Sequence, residues 1–299
     1  MEKIVVDERY ILQSKIGYGG YATVFLAFDK ILSKLVAIKV LKCDIHENPK
    51  AYAMFKQEAM TLAALNNPNI VKVYSSGIYE DNPYLVMDYV KGKSLKDIIH
   101  TNGYLLVDEI VSYTQQIING LEACHNNQIV HRDLKPHNII KKADGIITLL
   151  DFGTAIIADA EKNLYKEDNS VIIATVQYMA PELVENPKGS IQTDIYALGV
   201  TMFEMFTGTF PYNAESKKDI AKMHISLPFP SIRKINPNVP LEFEKIINKC
   251  CQKNPKKRYK NVNELRLDIL IAYEKYKNPS KKGGILSKLF KEKLWRDLL

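Results

Sequence analysis

The sequence predicts an α+β chain of two lobes, a small β-rich lobe with one main helix followed by a larger, mostly helical lobe. Three observations carry this. Strand-like runs dominate the first 90 residues with a single helical stretch among them. Helical spacing takes over after "GKS", residues 92–94, which looks like a short linker. The chain of 299 residues suits one large domain or two lobes with separate cores. A crevice between two lobes is the default place for a ligand.

The elements follow in order. Residues 10–42 read as strands broken by glycines: "YILQSKIG", "ATVFLAFD" and "KLVAIKVLK". Residues 49–66 begin with Pro and carry apolar residues at helical spacing. "NIVKVYSSGIYEDNPYLVMDYV" reads as two strands joined at Glu80–Pro83. "LKDIIH" and "VDEIVSYTQQIINGLEACHNN" are helical. The expected units are a small lobe over 1–90, a large lobe over 91–275 and a basic amphipathic tail over 276–299.

Composition excludes several classes. Apolar content of 46% and charged content of 25% are ordinary for a globular protein. The longest apolar run, "IYALGVTMF" from Ile195, stops at Glu204, short of a membrane span. The N-terminus has early acids and no apolar core, so it is not read as a secretory signal, and a cytoplasmic location is expected. Cys43, Cys124, Cys250 and Cys251 form no CxxC pair and no zinc-ligand spacing, and are expected to be small buried residues. The net charge of +7 is uneven: residues 281–299 hold six basic residues against Glu292 and Asp297. The rest is near balance and lysine greatly outnumbers arginine, so nucleic acid is not an expected partner.

Four short stretches carry the chemistry. "GYGGYATV", residues 17–24, is a glycine-rich hairpin, which explains close approach to a ligand and a plain tight turn equally well. It lacks the strand–turn–helix context of a dinucleotide site and the Gly-Lys-Ser/Thr of a Walker loop. In "VAIK", Val36 and Ile38 share one strand face while Ala37 and Lys39 share the other. Glu58, an acid among apolar neighbours on the next helix, fits pairing with Lys39; a solvated face is the alternative. "IVHRDLKPHNII", residues 129–140, packs six polar side chains between apolar residues, and buried charge is expensive unless paired. In "LLDFGTA", Asp151 follows Asn138 by 13 residues, and a hairpin of "NIIK" with "GIITLLD" would bring the two together. A carboxylate and an amide oxygen suit a hard dication.

In order, "GYGGYATV", "VAIK", Glu58, "HRDLKPHN", "DFG" and "APE" make the chain resemble the eukaryotic-type (Hanks-type) serine/threonine protein kinases over roughly residues 10–270. The glycine loop and lysine-rich composition are more similar to the bacterial members. The resemblance implies the bilobal protein-kinase fold and ATP- and Mg²⁺-dependent transfer to protein Ser/Thr hydroxyls, with Mn²⁺ as the alternative ion. It places Ile16, Gly17, Gly19 and Gly20 over the nucleotide, and Lys39, held by Glu58, on its phosphates. Val24 and Ala37 would pack above adenine and Ile140 below. Met87 would back the pocket, with Asp88, Tyr89 and Val90 as the linker that pairs with the base. Asp133 would take or orient the substrate proton, Lys135 and Thr175 would meet the γ-phosphate, and Asn138 and Asp151 would hold the metal. The same resemblance makes Leu62, Val73, His131 and Phe152 an apolar stack between lobes. It sets Asp194 to hold the catalytic loop and Arg258 to pair with Glu182.

Two departures stand out. Ala22 takes the third glycine position, and Ala174 replaces the glycine before Thr175. No catalytic position is missing, which weighs against a non-catalytic kinase-like module; the APE segment weighs against a small-molecule phosphotransferase. Arg132 beside Asp133 suggests an activation loop ordered by phosphate, with autophosphorylation at Ser170 the expectation and the charge of Glu167 or Asp168 the alternative. The stretch 283–299 reads as a basic amphipathic helix, open to an anionic membrane surface or to a partner, the kinase lobe included. A homodimer is a further partner that the resemblance suggests.

Overall fold

The structure is a computed structural model describing residues 4–18, 22–42, 46, 49–151, 176–184, 186 and 189–279, without the side chains of residues 50, 51, 53, 54, 57 and 58. Gly19, Gly20, Cys43, Phe152, Ser170, Ala174, Thr175 and the tail stretch 283–299 lie outside the described residues, as does the side chain of Glu58.

The small lobe is one antiparallel sheet of six strands in the order β1-β2-β3-β4-β6-β5. Its strands are β1 Val5–Val6, β2 Tyr10–Tyr18, β3 Ala22–Asp29, β4 Lys34–Leu41, β5 Val73–Tyr79 and β6 Asn82–Asp88. The period-two pattern of β4 sorts the faces as its sequence dictates. Val36 and Ile38 join Val6, Tyr10, Ala27 and Val86 in a core on one face. Ala37 and Leu41 join Leu85 and Met87 on the other, where helix α1, Pro49–Ala64, presses Phe55, Ala59 and Leu62. Lys39 shares that second face and is 6% exposed.

The large lobe opens with a three-stranded sheet, β7 Gly92–Ser94, β8 Ile139–Lys142 and β9 Ile147–Leu149. "GKS" is therefore not only a linker but an edge strand, its Gly92 paired with Lys142. Three residues are too few for strand periodicity to announce itself. Helices α2 Leu95–Asn102, α3 Val107–Asn126, α4 Ile191–Thr207, α5 Lys217–Ser226, α6 Leu241–Cys250 and α7 Val262–Lys277 complete the lobe. Helix α4 is apolar on most of its surface, with Asp194 and Glu204 as its acids, and is buried nearly throughout. Among the described residues no helix is long and apolar enough to cross a membrane.

The lobes are joined twice. Besides the linker after β6, residues 67–72 are stapled to the large lobe. Asn69, 4% exposed, donates to the Ile147 carbonyl at 2.7 Å and to Gln116 at 3.2 Å. Its carbonyl accepts from Leu149 N, whose own carbonyl accepts from Val71 N, both at 2.9 Å.

Two helix ends meet at Gly103 and Gly208. Gly208 ends α4 in the left-handed region, φ 70°, and a Cβ there would sit 1.8 Å from the Gly103 carbonyl oxygen. Gly208→Ala combines backbone strain with a clash, and is expected to destabilise by about 2–4 kcal/mol. A fall in the urea midpoint with unchanged slope checks it.

Candidate active site

Lys39 lies on β4, opposite Leu85 of β6 and Val24 of β3. Its ammonium crosses between lobes and pairs with the Asp151 carboxylate, 112 residues away in sequence. Asp151 follows β9, the second strand of the expected hairpin, in which Ile139 faces Leu149 and Leu150 N donates to the Asn138 carbonyl at 2.8 Å. Residues 138 and 151 thus come to one end of the hairpin. Burial pushes the Asp151 carboxyl up, but Lys39, aided by Lys135 and His131, outweighs it and holds the group below its ordinary value. Asp151 has φ 64°, unusual for a residue with a Cβ. Strain of this kind persists where the surroundings over-determine the backbone.

The loop 131–138 supplies the second half. Asp133 is 8% exposed. Its Oδ2 accepts from Lys135 Nζ at 2.6 Å and from Asn138 Nδ2 at 3.0 Å. Asn138 Nδ2 also donates to the Asp133 carbonyl at 2.9 Å. Pro136 begins the one-turn 3₁₀ helix that swings Asn138 back toward Asp133. The amide nitrogen of Asn138 is thereby committed to Asp133.

The loop is held from below. Asp194, in the first turn of α4, is fully buried and accepts from His131 N and Arg132 N, both at 2.9 Å, and from His125 Nε2 at 2.8 Å. Burial alone would raise its carboxyl, but these donors hold it below the ordinary carboxylate range. Arg132 takes φ 63°, so this anchor holds a strained turn. Arg258, 4% exposed, grips Glu182 with two bonds of 2.7 Å, as the resemblance implies. Thr193 donates to Glu182 at 3.1 Å. Leu62, Val73 and His131 are all buried.

Of the residues expected to line an adenine pocket, Ala37 pairs with Met87 across β4 and β6, and both are buried. Val24 and Val90 are partly buried against the main core, and Ile140 is half-buried on β8. Gly17 faces Val24 across the β2–β3 hairpin, where a Cβ would lie 3.3 Å from that side chain; Ile16 is 45% exposed. The Asp88 carboxylate is turned to Lys34 at 3.0 Å and to the Tyr74 hydroxyl at 3.0 Å, and its backbone N–H donates to the Lys72 carbonyl.

One cluster escaped the sequence reading. Glu204, read only as the end of an apolar run, is fully buried in α4. It accepts from Lys96 of α2 at 2.7 Å and from the Tyr178 hydroxyl at 2.5 Å. Burial, then Glu204, pushes the Tyr178 phenol far up. The available signal was an acid inside an otherwise apolar helix, which demands a partner; nothing in the sequence says that the partners are 108 and 26 residues away.

Residues 10–266 match the family model described as "Protein kinase domain". The chain belongs to the protein kinase family. The serine/threonine-protein kinase PrkC of Bacillus subtilis is 38% identical over 269 residues, covering 90% of this chain and 41% of that protein. Serine/threonine-protein kinase PknB of Mycobacterium tuberculosis is 34% identical over 276 residues, covering 90% of this chain and 43% of that protein. This kinase chain therefore spans about two fifths of the length of these curated relatives. Among solved structures, Rad53 1–466 in complex with AMP-PNP superposes with a TM-score of 0.71 at 23% identity, over 86% of this chain and 64% of that one. The kinase fold expected from the motifs is the fold observed.

Proposed function

We propose that the chain is an ATP-dependent serine/threonine protein kinase that moves the γ-phosphate of ATP to protein hydroxyls. The observation that supports this most is convergence: Lys39 and Asp151 from opposite lobes meet at one end of the β8–β9 hairpin that also carries Asn138 and, through it, Asp133 and Lys135. Phosphoryl transfer asks mainly for positioning and charge neutralisation, so cations, carboxylates and an amide suffice without a protein nucleophile. In this reading Lys39 binds nucleotide phosphates and Glu58 orients it. Gly19, Gly20 and Thr175 keep the phosphate-side roles given above.

Asp133 takes the substrate hydroxyl proton at Oδ1, since both described donors use Oδ2. Lys135 is 2.6 Å from that carboxylate, near enough to steady charge building on the transferring group. The donor set fits a hard dication. Asn138 spends its amide nitrogen on Asp133, which leaves the amide oxygen, and Asp151 adds a carboxylate. Bound there, Mg²⁺ would neutralise phosphate charge; Mn²⁺ suits the same oxygens. The braces Arg258–Glu182 and Glu204–Tyr178 fix residues 176–184, which supports a protein as acceptor.

Incubation of the full chain with γ-labelled ATP, Mg²⁺ and a general protein acceptor is expected to label serine and threonine, and EDTA to abolish the labelling. Label confined to tyrosine or to a metabolite overturns the reading. Autophosphorylation belongs to the same proposal, with Ser170 as the acceptor. The finer partner readings are contact of the stretch 283–299 with an anionic membrane or a partner, and pairing of two copies. Liposome flotation with and without that stretch, and the sedimentation mass of the full chain, test them.

A further inference from the structure

A cleft of about 350 Å³ opens where the end of α1, the loop after it, the linker and the β8–β9 hairpin meet. None of Lys39, Asp133, Asn138 or Asp151 lines it. Its apolar lining comes from Leu65, Pro68, Ile70, Val71 and Val90. Its polar lining is unevenly satisfied. Asp88 is already engaged by Lys34 and Tyr74. Asn67 is likewise engaged, donating to the Asn119 carbonyl and accepting from Asn69 N. Lys72 and Lys142 also line the cleft, and neither ammonium has a partner among the described residues. Thr148 closes the cleft on the hairpin side and is 3% exposed.

Two uncommitted cations and a neutralised carboxylate over an apolar wall select for one chemistry. We infer that this cleft binds a small amphipathic anion, an apolar ring or short chain carrying one carboxylate, sulfonate or phosphate. The volume is at the small end of ligand sites, which run from roughly 300 to 1,000 Å³. The cleft is also bounded by both lobes: Leu65 and Val71 belong to the segment between α1 and β5, whereas Lys142 and Thr148 lie on the large-lobe hairpin.

The probe is 8-anilinonaphthalene-1-sulfonate, read by fluorescence on the full chain with saturating AMP-PNP and Mg²⁺ filling the nucleotide cleft. One probe per chain is expected to stay bound. The charge reversals Lys72→Glu and Lys142→Glu together are expected to weaken it at least tenfold. Both lysines are at least partly exposed, so the reversals leave the fold intact. Wild-type affinity in the doubly reversed variant, or complete displacement of the probe by AMP-PNP, overturns the assignment. If AMP-PNP itself fails to bind, the kinase reading fails, and the variant series without nucleotide still decides this cleft.

Discussion

Asp133→Asn is expected to leave a folded protein that transfers phosphate about 10²–10⁴-fold more slowly. The amide has the shape of the carboxylate and still offers an oxygen to Lys135 and Asn138, which now hold Oδ2 at 2.6 and 3.0 Å. What it lacks is basicity. A neutral amide does not take a proton from the attacking hydroxyl, and it removes the negative charge now beside the Lys135 ammonium. The loss corresponds to about 3–5 kcal/mol of barrier. Single-turnover transfer with circular dichroism as the folding control measures it. A rate within threefold of the wild type removes Asp133 from the reaction.

Asp194→Ala is expected to cost about 3–5 kcal/mol of stability, as breaking a buried charged cluster does. The substitution orphans two buried backbone donors, His131 N and Arg132 N, and the His125 ring nitrogen. It also frees the strained turn at Arg132, so transfer falls with stability. The pH dependence has a definite sign. The folded carboxyl sits below its unfolded value, so its contribution is fully present above about pH 4 and fades as pH falls through the lower folded value. Urea midpoints of wild type and variant are therefore expected to differ most near neutrality and to converge below pH 4. A constant gap down to strongly acidic pH would mean that the carboxylate's charge is not what holds the loop.

Much of the fold and the site was legible because the informative residues fall in short local patterns. The alternation of β4 already said that Lys39 points with Ala37 and away from Val36 and Ile38, and the cores on the two faces agree. The hairpin joining Asn138 to Asp151 was legible from two strand-like runs with a turn between them. The Lys39–Asp151 pair was not, because Glu58 is nearer in sequence and chemically as good a partner. Long-range satisfaction of charge was the general blind spot. Lys96, Tyr178 and Glu204 come from three separate elements, and only packing decides that they meet. The Gly103–Gly208 contact was illegible for the same reason, since each glycine alone reads as an ordinary helix end.

The staple at residues 67–72 bears on how the two lobes can move against each other. Two chain crossings, one at Asn69–Val71 and one after Asp88, define a line rather than a point. Relative rotation about any other axis would shear the Asn69–Ile147 and Val71–Leu149 hydrogen bonds. The rotation that disturbs those bonds least is a swing about that line, and because Lys39 and Asp151 sit on opposite lobes it changes the distance between them.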